Sequence, residues 1–375
     1  MMNRGTILYV GDFELPDRNA AAHRVLNNAK IFRELGYNVV FCGVDKQIKH
    51  GDYPKIFDIS GFESIPLPYP TSIKQRIIQI FNINYYADII NKHNDIKLVI
   101  CYNPHAVPLL KLINYCKKRR IKIITDCTEW YKLKWSLSPK NMIRKLDMFL
   151  SVSFLQSKCD GMIAISSYLE NNFREKIENI VVIPPLVDIK DPKYRLNDIE
   201  KDSNTITLIY SGSPSANKES LGDVVECLQQ MKDIKYIFKI VGINQNQFEK
   251  MYHMSVKNSM IKFLGSVSHL EALQQVKESD YAIIIRPKLR GTMAGFPTKF
   301  AEAISCGTAV IANATSDLPQ YLTNGKNGYL VDENQLEKQL REILTSEKKP
   351  FVQRETFDYR AWKNKFQVFL NQLEL

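Results

Sequence analysis

The chain has 375 residues, 45% of them apolar, with 51 Lys+Arg against 40 Asp+Glu and a net charge of +11. That length predicts two domains, each with an ordinary core. No apolar run reaches the roughly 18 residues of a membrane span, and "MMNRGTILYVGDF" reads as a first strand, not a signal peptide. The seven scattered cysteines form no CxxC pair, which excludes a disulfide framework and a cysteine zinc site and predicts reduced thiols in a cytoplasmic protein.

In chain order, "TILYVGDF" (6–13) reads as a buried strand. "AAAHRVLNNAKIFRELG" (20–36) places Val25, Leu26, Ala29, Ile31, Phe32 and Leu35 at helical spacing and stops at Gly36. "YNVVFCGV", "KLVICYN" (97–103), "IKIITDCT" (121–128), "DGMIAIS" (160–166) and "NIVVIPP" (179–185) are further apolar strands separated by helical stretches. Near-continuous apolar strands alternating with helices predict a parallel sheet covered on both faces. Residues 188–204 are polar and read as a linker. The pattern then restarts with "TITLIYSGS" (205–213), "IKYIFKIVG", "IKFLGSV", "SDYAIIIRP", "TAVIANA" and "GYLVDE".

The expected architecture is therefore α/β, with two doubly wound parallel-sheet domains: 1–187, a linker at 188–204, and 205–355. A C-terminal helix over 356–375 is expected to pack back towards the N-terminal domain. Its apolar face carries Trp362, Phe366, Phe369, Leu370 and Leu373. Ligands of such sheets bind beyond the carboxyl ends of the strands, so the loops that follow strands carry the chemistry.

After the first strand, Asn19 can cap the helix opened by Ala20–Ala22, and a helix start suits an anion or a sugar. In "YSGSPSANKES" (210–220), Gly212 and small serines allow close backbone approach, and Lys218 supplies a cation. The most informative loop is "IIIRPKLRGTMAGFPTKFAEAISCG" (283–307). Pro297 suits the first position of a short helix ending at Gly307, which puts Lys299 in the first turn and Glu302 one turn on, on the same side. A glutamate there can accept two hydroxyl hydrogen bonds from a ribose, while Lys299, Arg286 and the helix N-terminus face phosphate. An i,i+3 salt bridge on a solvent face is the plain alternative. His105 in "YNPHAVP" follows a strand, and His269 reads as a surface residue at a helix start. No GxxxxGK[ST], GxGxxG, HExxH, GxSxG or Asp-x-Asp occurs, so no metal is expected.

The stretch "GFPTKFAEAISCGTAVIANATSDLPQYLTNGKNGYLV" resembles the donor-binding signature of retaining glycosyltransferases of family 4, which have the GT-B fold of two Rossmann-like domains facing a cleft. "YSGSPSANKESL", "FLGSVSHLEAL", "AIIIRP" and "YRAWKNKFQVFL" follow in that family's order. The resemblance implies transfer of a sugar from a UDP- or GDP-sugar to a saccharide or lipid-linked saccharide in surface polysaccharide synthesis, with retention. It implies that Glu302 holds the ribose, and that Lys218, Lys299 and Arg286 neutralise the diphosphate. Gly265 to Val267 would lie along the base. Gly212, Ser213, the turn Gly295, Phe296, Pro297 and Thr298, and Asn19 complete the donor-side candidates. Ala294 stands where the family carries a second glutamate, and Ser213 where many members have arginine. Acceptor-side candidates are Asn19, His105, Asp126 and Glu129. An inverting GT-B transferase, a sugar-nucleotide epimerase and a non-catalytic nucleotide-sugar-binding protein are the alternatives.

The net charge is concentrated in residues 1–190, which carry 27 basic and 18 acidic residues, and 111–145 hold eleven basic residues against Asp126 and Glu129. "KKRRIKI" and 130–145 mix these with Trp130, Tyr131, Trp135, Leu137 and Met142, a combination suited to the inner face of a membrane with anionic lipid. Peripheral attachment through 117–145 is expected, and no nucleic-acid partner.

Overall fold

The computed structural model describes residues 4–49, 54–130, 139–195, 205–215, 218–347 and 350–375. The chain divides into two compact units: Met1–Leu186 with Tyr359–Leu375, and Val187–Asp358.

In unit 1 the elements are β1 (Thr6–Gly11), α1 (Ala20–Glu34), β2 (Asn38–Cys42), β3 (Val44–Asp45), β4 (Phe57–Ile59), β5 (Phe62–Ser64), β6 (Leu67–Pro68), α2 (Ile73–Phe81), α3 (Asn84–Lys92), β7 (Ile96–Tyr102), α4 (Ala106–Arg119), β8 (Lys122–Cys127), α5 (Pro139–Leu150), β9 (Gly161–Ala164), α6 (Ser167–Phe173) and β10 (Ile180–Val182). Among the described residues one sheet runs β10-β9-β8-β7-β1-β2-β5-β4, and β3 pairs with β6. All neighbours in the large sheet are parallel except β4, which pairs antiparallel with β5. The sequence reading missed the β4–β5 edge hairpin because three-residue strands leave no measurable alternation. The strands it did find are buried along nearly their whole length, as two-sided cover requires.

Asn19 caps α1 by accepting from the Ala22 N–H at 2.8 Å. The chain returns to unit 1 at its end, through a helical turn at Tyr359–Trp362 and a final helix over Lys363–Gln372. Phe366, Phe369, Leu370 and Leu373 are buried there with Phe32, Ile124 and Val181, and Trp362 packs against the same core.

In unit 2 the elements are β11 (Ile206–Ser211), α7 (Leu221–Gln230), β12 (Tyr236–Val241), α8 (Gln245–Tyr252), β13 (Ile261–Gly265), α9 (His269–Lys277), β14 (Tyr281–Ile284), α10 (Arg290–Ala294), α11 (Thr298–Ser305), β15 (Ala309–Asn313), α12 (Leu318–Tyr321), β16 (Gly328–Val331) and α13 (Leu336–Leu344); the last helix of the chain, in unit 1, is α14. The sheet is parallel throughout, in the order β13-β12-β11-β14-β15-β16. This doubly wound order reverses between β11 and β14, and a crevice at such a reversal is where ligands of open α/β sheets bind. Of the stretch read as a linker, 196–204 lie outside the described residues. Residues 188–195 pack on unit 2, where Tyr194 is buried and the Arg195 carbonyl accepts from Lys277 Nζ at 3.0 Å. The expected α/β class with two Rossmann-like sheets is the one observed.

Candidate functional site

The loops after β11 and β14 meet at the reversal point of unit 2, where the Ser220 N–H donates to the Ile285 carbonyl at 2.9 Å. They are the two loops singled out in the sequence. Gly212 leaves β11 at φ +139°, and a Cβ built on it would lie 3.3 Å from Lys299 Nζ. Any side chain at 212 would therefore crowd the lysine as well as strain the backbone.

Lys299 lies in the first turn of α11. Pro297, expected at the first helical position, instead precedes the helix with an extended ψ of 115°, and Thr298 opens it. Lys299 Nζ donates to the Tyr210 hydroxyl at 2.9 Å and to Glu219 Oε1 at 3.0 Å. Burial lowers its pKa, against the opposing pull of Glu219. Neither partner was foreseen. Glu219 adjoins Lys218 in "NKES" and reads as an ordinary surface charge, yet it is buried.

Glu302, one turn after Lys299, accepts or shares a hydrogen bond with His269 Nε2 at 3.1 Å. His269, read in the sequence as a surface residue, thus belongs to the site. Arg286 differs from expectation in another way. Its guanidinium is buried and donates from Nη1 to the carbonyls of Thr292 and Gly295, both at 3.2 Å, while Asn313 holds its backbone on both sides. Arg286 thereby shapes the turn before α11, and its charge still acts on Lys299.

Phe296, a donor-side candidate in the sequence, is buried. It stacks edge-on with Phe300 and Tyr321 at 5.7 and 5.6 Å, so the Gly295–Thr298 turn can offer a ligand its backbone but not this ring. Ala294, at the family's second glutamate position, is buried. Lys218 and Ser213 are exposed beside the crevice. Gly265 ends β13 at φ +67° with no atom within 4 Å of a built Cβ, and Val267 is exposed two residues on. The Gly265 carbonyl accepts from the Gly242 N–H at 2.7 Å, and the space beside its Cα is open.

Unit 1 has its own reversal point, between β1 and β7. His105 caps α4 there without a side-chain cap bond, which leaves its imidazole for Asp147 of α5. Nδ1 lies 2.6 Å from Asp147 Oδ2, while Asp147 Oδ1 accepts the Ala106 N–H at 2.8 Å. Asp12 lies beyond β1, 3.8 Å from Nε2. The Asp147 hydrogen bond, reinforced by both carboxylates, raises the His105 pKa above 6.5 against the effect of burial and of Arg76. The sequence held no signal for Asp147, which lies 42 positions from His105.

Asp126 takes a different place from the one expected. It is 0% exposed, accepts from Arg24 Nε at 2.8 Å, pairs with Nη2 at 2.7 Å, and accepts from the Tyr9 hydroxyl. Arg24 Nη1 in turn donates to the Ile183 carbonyl at 2.9 Å. This is a buried tie between α1, β8 and the segment after β10, closed to a substrate hydroxyl. Asn19 is likewise engaged in capping. Glu129 is exposed after β8, and Trp130 lies 6.2 Å from the Tyr168 ring. Tyr131, Trp135 and Leu137 lie outside the described residues.

Residues 195–361 match the family described as Glycosyl transferases group 1. The chain is 24% identical over 213 residues to the uncharacterized glycosyltransferase MJ1178 of Methanocaldococcus jannaschii, a match covering 56% of this chain and about half (55%) of that protein. It is 25% identical to the uncharacterized glycosyltransferase MJ1069 of the same organism, over 80% of this chain and 76% of the other. Among solved structures, Anabaena HepE in complex with UDP and glucose superposes with a TM-score of 0.65 over 98% of this chain and 99% of that one, at 15% identity. The GT-B fold expected from the sequence is the one shared with such neighbours, and the match to glycosyl transferases group 1 is confined to residues 195–361.

Proposed function

We propose that the protein is a retaining, metal-independent glycosyltransferase that moves a sugar from a UDP- or GDP-sugar to a saccharide or lipid-linked saccharide. The observation that carries this reading is the placement of Lys299 and Glu302 on successive turns of α11, with Gly212 beneath the lysine, at the reversal point of the unit 2 sheet. A carboxylate for the ribose diol, a cation for the diphosphate and a helix start for anionic oxygens are the groups a sugar nucleotide needs. The similarity in fold to HepE, solved in complex with UDP and glucose, supports a nucleotide-sugar as the donor.

In this reading Lys299 and Lys218 balance the charge that grows on the departing diphosphate, and the N–H groups of the Gly295–Thr298 turn meet its oxygens. Arg286 keeps that turn in shape. The acceptor hydroxyl attacks the anomeric carbon on the face the diphosphate leaves, and a diphosphate oxygen receives its proton. No protein nucleophile is needed, and catalysis rests on positioning and electrostatic stabilisation. His105, held by Asp147, is the acceptor-side group that faces the loops of unit 1, and its charge would favour a developing anion. We assign synthesis of a surface polysaccharide at the inner face of the membrane as the setting, following the family resemblance.

The test is NMR of the product made from an α-linked donor in EDTA. An α-linked product supports the reading; a β-linked product overturns retention, and loss of turnover restored by manganese overturns metal independence.

A further inference from the structure

We propose that α2, α4 and α5 of unit 1 form a docking face for an anionic lipid bilayer, entered by apolar side chains rather than touched by charge alone. This rests on the transferase reading only for its consequence, the delivery of a lipid-borne acceptor.

Large apolar side chains left exposed gather on these helices and the turn after α5. Ile77, Phe81, Leu110, Ile143, Leu146 and Phe149 are all exposed, with Ile143 at 70% and Phe149 at 56%. α4 packs against both α2 and α5, so the three helices that carry these side chains are neighbours in unit 1. Lys111 of α4 donates to the Phe81 carbonyl at the end of α2, with its ammonium 5.9 Å from that ring's centre. The Phe149 ring meets Phe154 edge-on at 5.3 Å. An exposed apolar patch of this kind marks an interaction surface.

The charge on the same helices selects the occupant. Residues 73–81, 106–119 and 139–150 together hold nine lysines and arginines against a single acidic residue, Asp147. That one carboxylate is already engaged, holding His105 and the start of α4. A second copy of the chain placed on this face about a twofold axis would set these cations against their own kind, which is unfavourable. A bilayer with anionic headgroups accepts both the cations and the apolar side chains, the pattern of helices that lie in the membrane interface. Lys117, Lys118 and Arg119, at the end of α4, add charge to this face but no apolar anchor.

The geometry also links the face to the site. α5 carries Ile143, Leu146 and Phe149 exposed, and Asp147, one turn after Ile143, holds His105. The helix on the bilayer therefore sets the height of His105 above the lipid, which suits an acceptor sugar carried on a lipid phosphate.

The experiment is sedimentation of the full chain with vesicles of phosphatidylcholine alone or mixed with phosphatidylglycerol, at low and high salt. Wild type should bind the anionic vesicles and keep part of that binding at high salt. The variant Ile143→Ser/Leu146→Ser/Phe149→Ser should lose about tenfold or more in partitioning. Lys74→Ser/Arg76→Ser/Arg144→Ser should lose the preference for anionic lipid. If the triple apolar variant fails to fold, Ile143→Ser alone should still show a measurable loss. Absence of wild-type binding, or equal binding by the apolar variants, overturns the proposal. So does a dimer in sedimentation velocity that these variants dissociate, which would make the occupant a second copy. Calorimetric donor titration of the same variants without vesicles separates the two readings. Lost vesicle binding with intact donor binding supports the docking face. Donor binding by the wild-type chain without any wild-type vesicle binding overturns it and leaves the transferase reading in place.

Discussion

Lys299 Nζ lies 3.0 Å from Glu219 Oε1, so the cation expected to meet a diphosphate already has a carboxylate partner in a largely buried setting. Burial lowers the Lys299 pKa, and Glu219 opposes that by favouring the charged amine.

Lys299→Met is therefore expected to act twice. It should weaken nucleoside diphosphate binding about tenfold or more, and it should lower stability by about 1–3 kcal/mol by stranding the Glu219 carboxylate. Lys299→Met/Glu219→Gln should recover the stability but not the affinity. Calorimetry beside thermal melts checks this, and recovery of both would make the pair purely structural.

Glu302→Gln should cost about 1.5–3 kcal/mol in affinity for a nucleoside diphosphate, the range for a hydrogen bond to a charged group. Affinity for inorganic pyrophosphate, which has no ribose, should stay the same. Equal losses for both ligands would remove Glu302 from the ribose.

His105 should titrate above 6.5 in wild type by NMR and fall back in Asp147→Asn, because the Asp147 hydrogen bond is the main cause of the upward shift. The sign follows for stability: the contribution is fully present below the unfolded value near 6.5 and is lost as pH rises through the higher folded value. A stability difference between wild type and Asp147→Asn that grows with rising pH would contradict the assignment.

Asp126→Asn should destabilise the fold by about 3–5 kcal/mol, because it leaves the Arg24 guanidinium in the core without its counter-charge. The folded variant should bind donor normally. An unchanged melting temperature with lost turnover would return Asp126 to the reacting groups.

The periodicity of buried strands and the glycine and small-residue turns made both sheets and the α11 loop legible. Local spacing alone put Lys299 and Glu302 on one side of α11. What was not legible depends on pairing across the sequence. Glu219 and Tyr210 reach Lys299 from 80 and 89 positions away, and Asp147 reaches His105 from 42. Asp126 looked available because it ends a strand, and only the packing of α1 against β8 brings Arg24 to it. Arg286 sits where a phosphate-binding cation would, but its donors reach the carbonyls of the turn that follows.

The central claim is that the crevice of unit 2 binds a sugar nucleotide through its diphosphate and ribose. Calorimetric titration of the full chain with a panel of UDP- and GDP-sugars in EDTA tests it most directly. The account predicts saturable one-to-one binding of at least one donor, competed by the matching nucleoside diphosphate and weakened in Glu302→Gln. Heats no greater than dilution for every donor, or binding equal in wild type and Glu302→Gln, would contradict it.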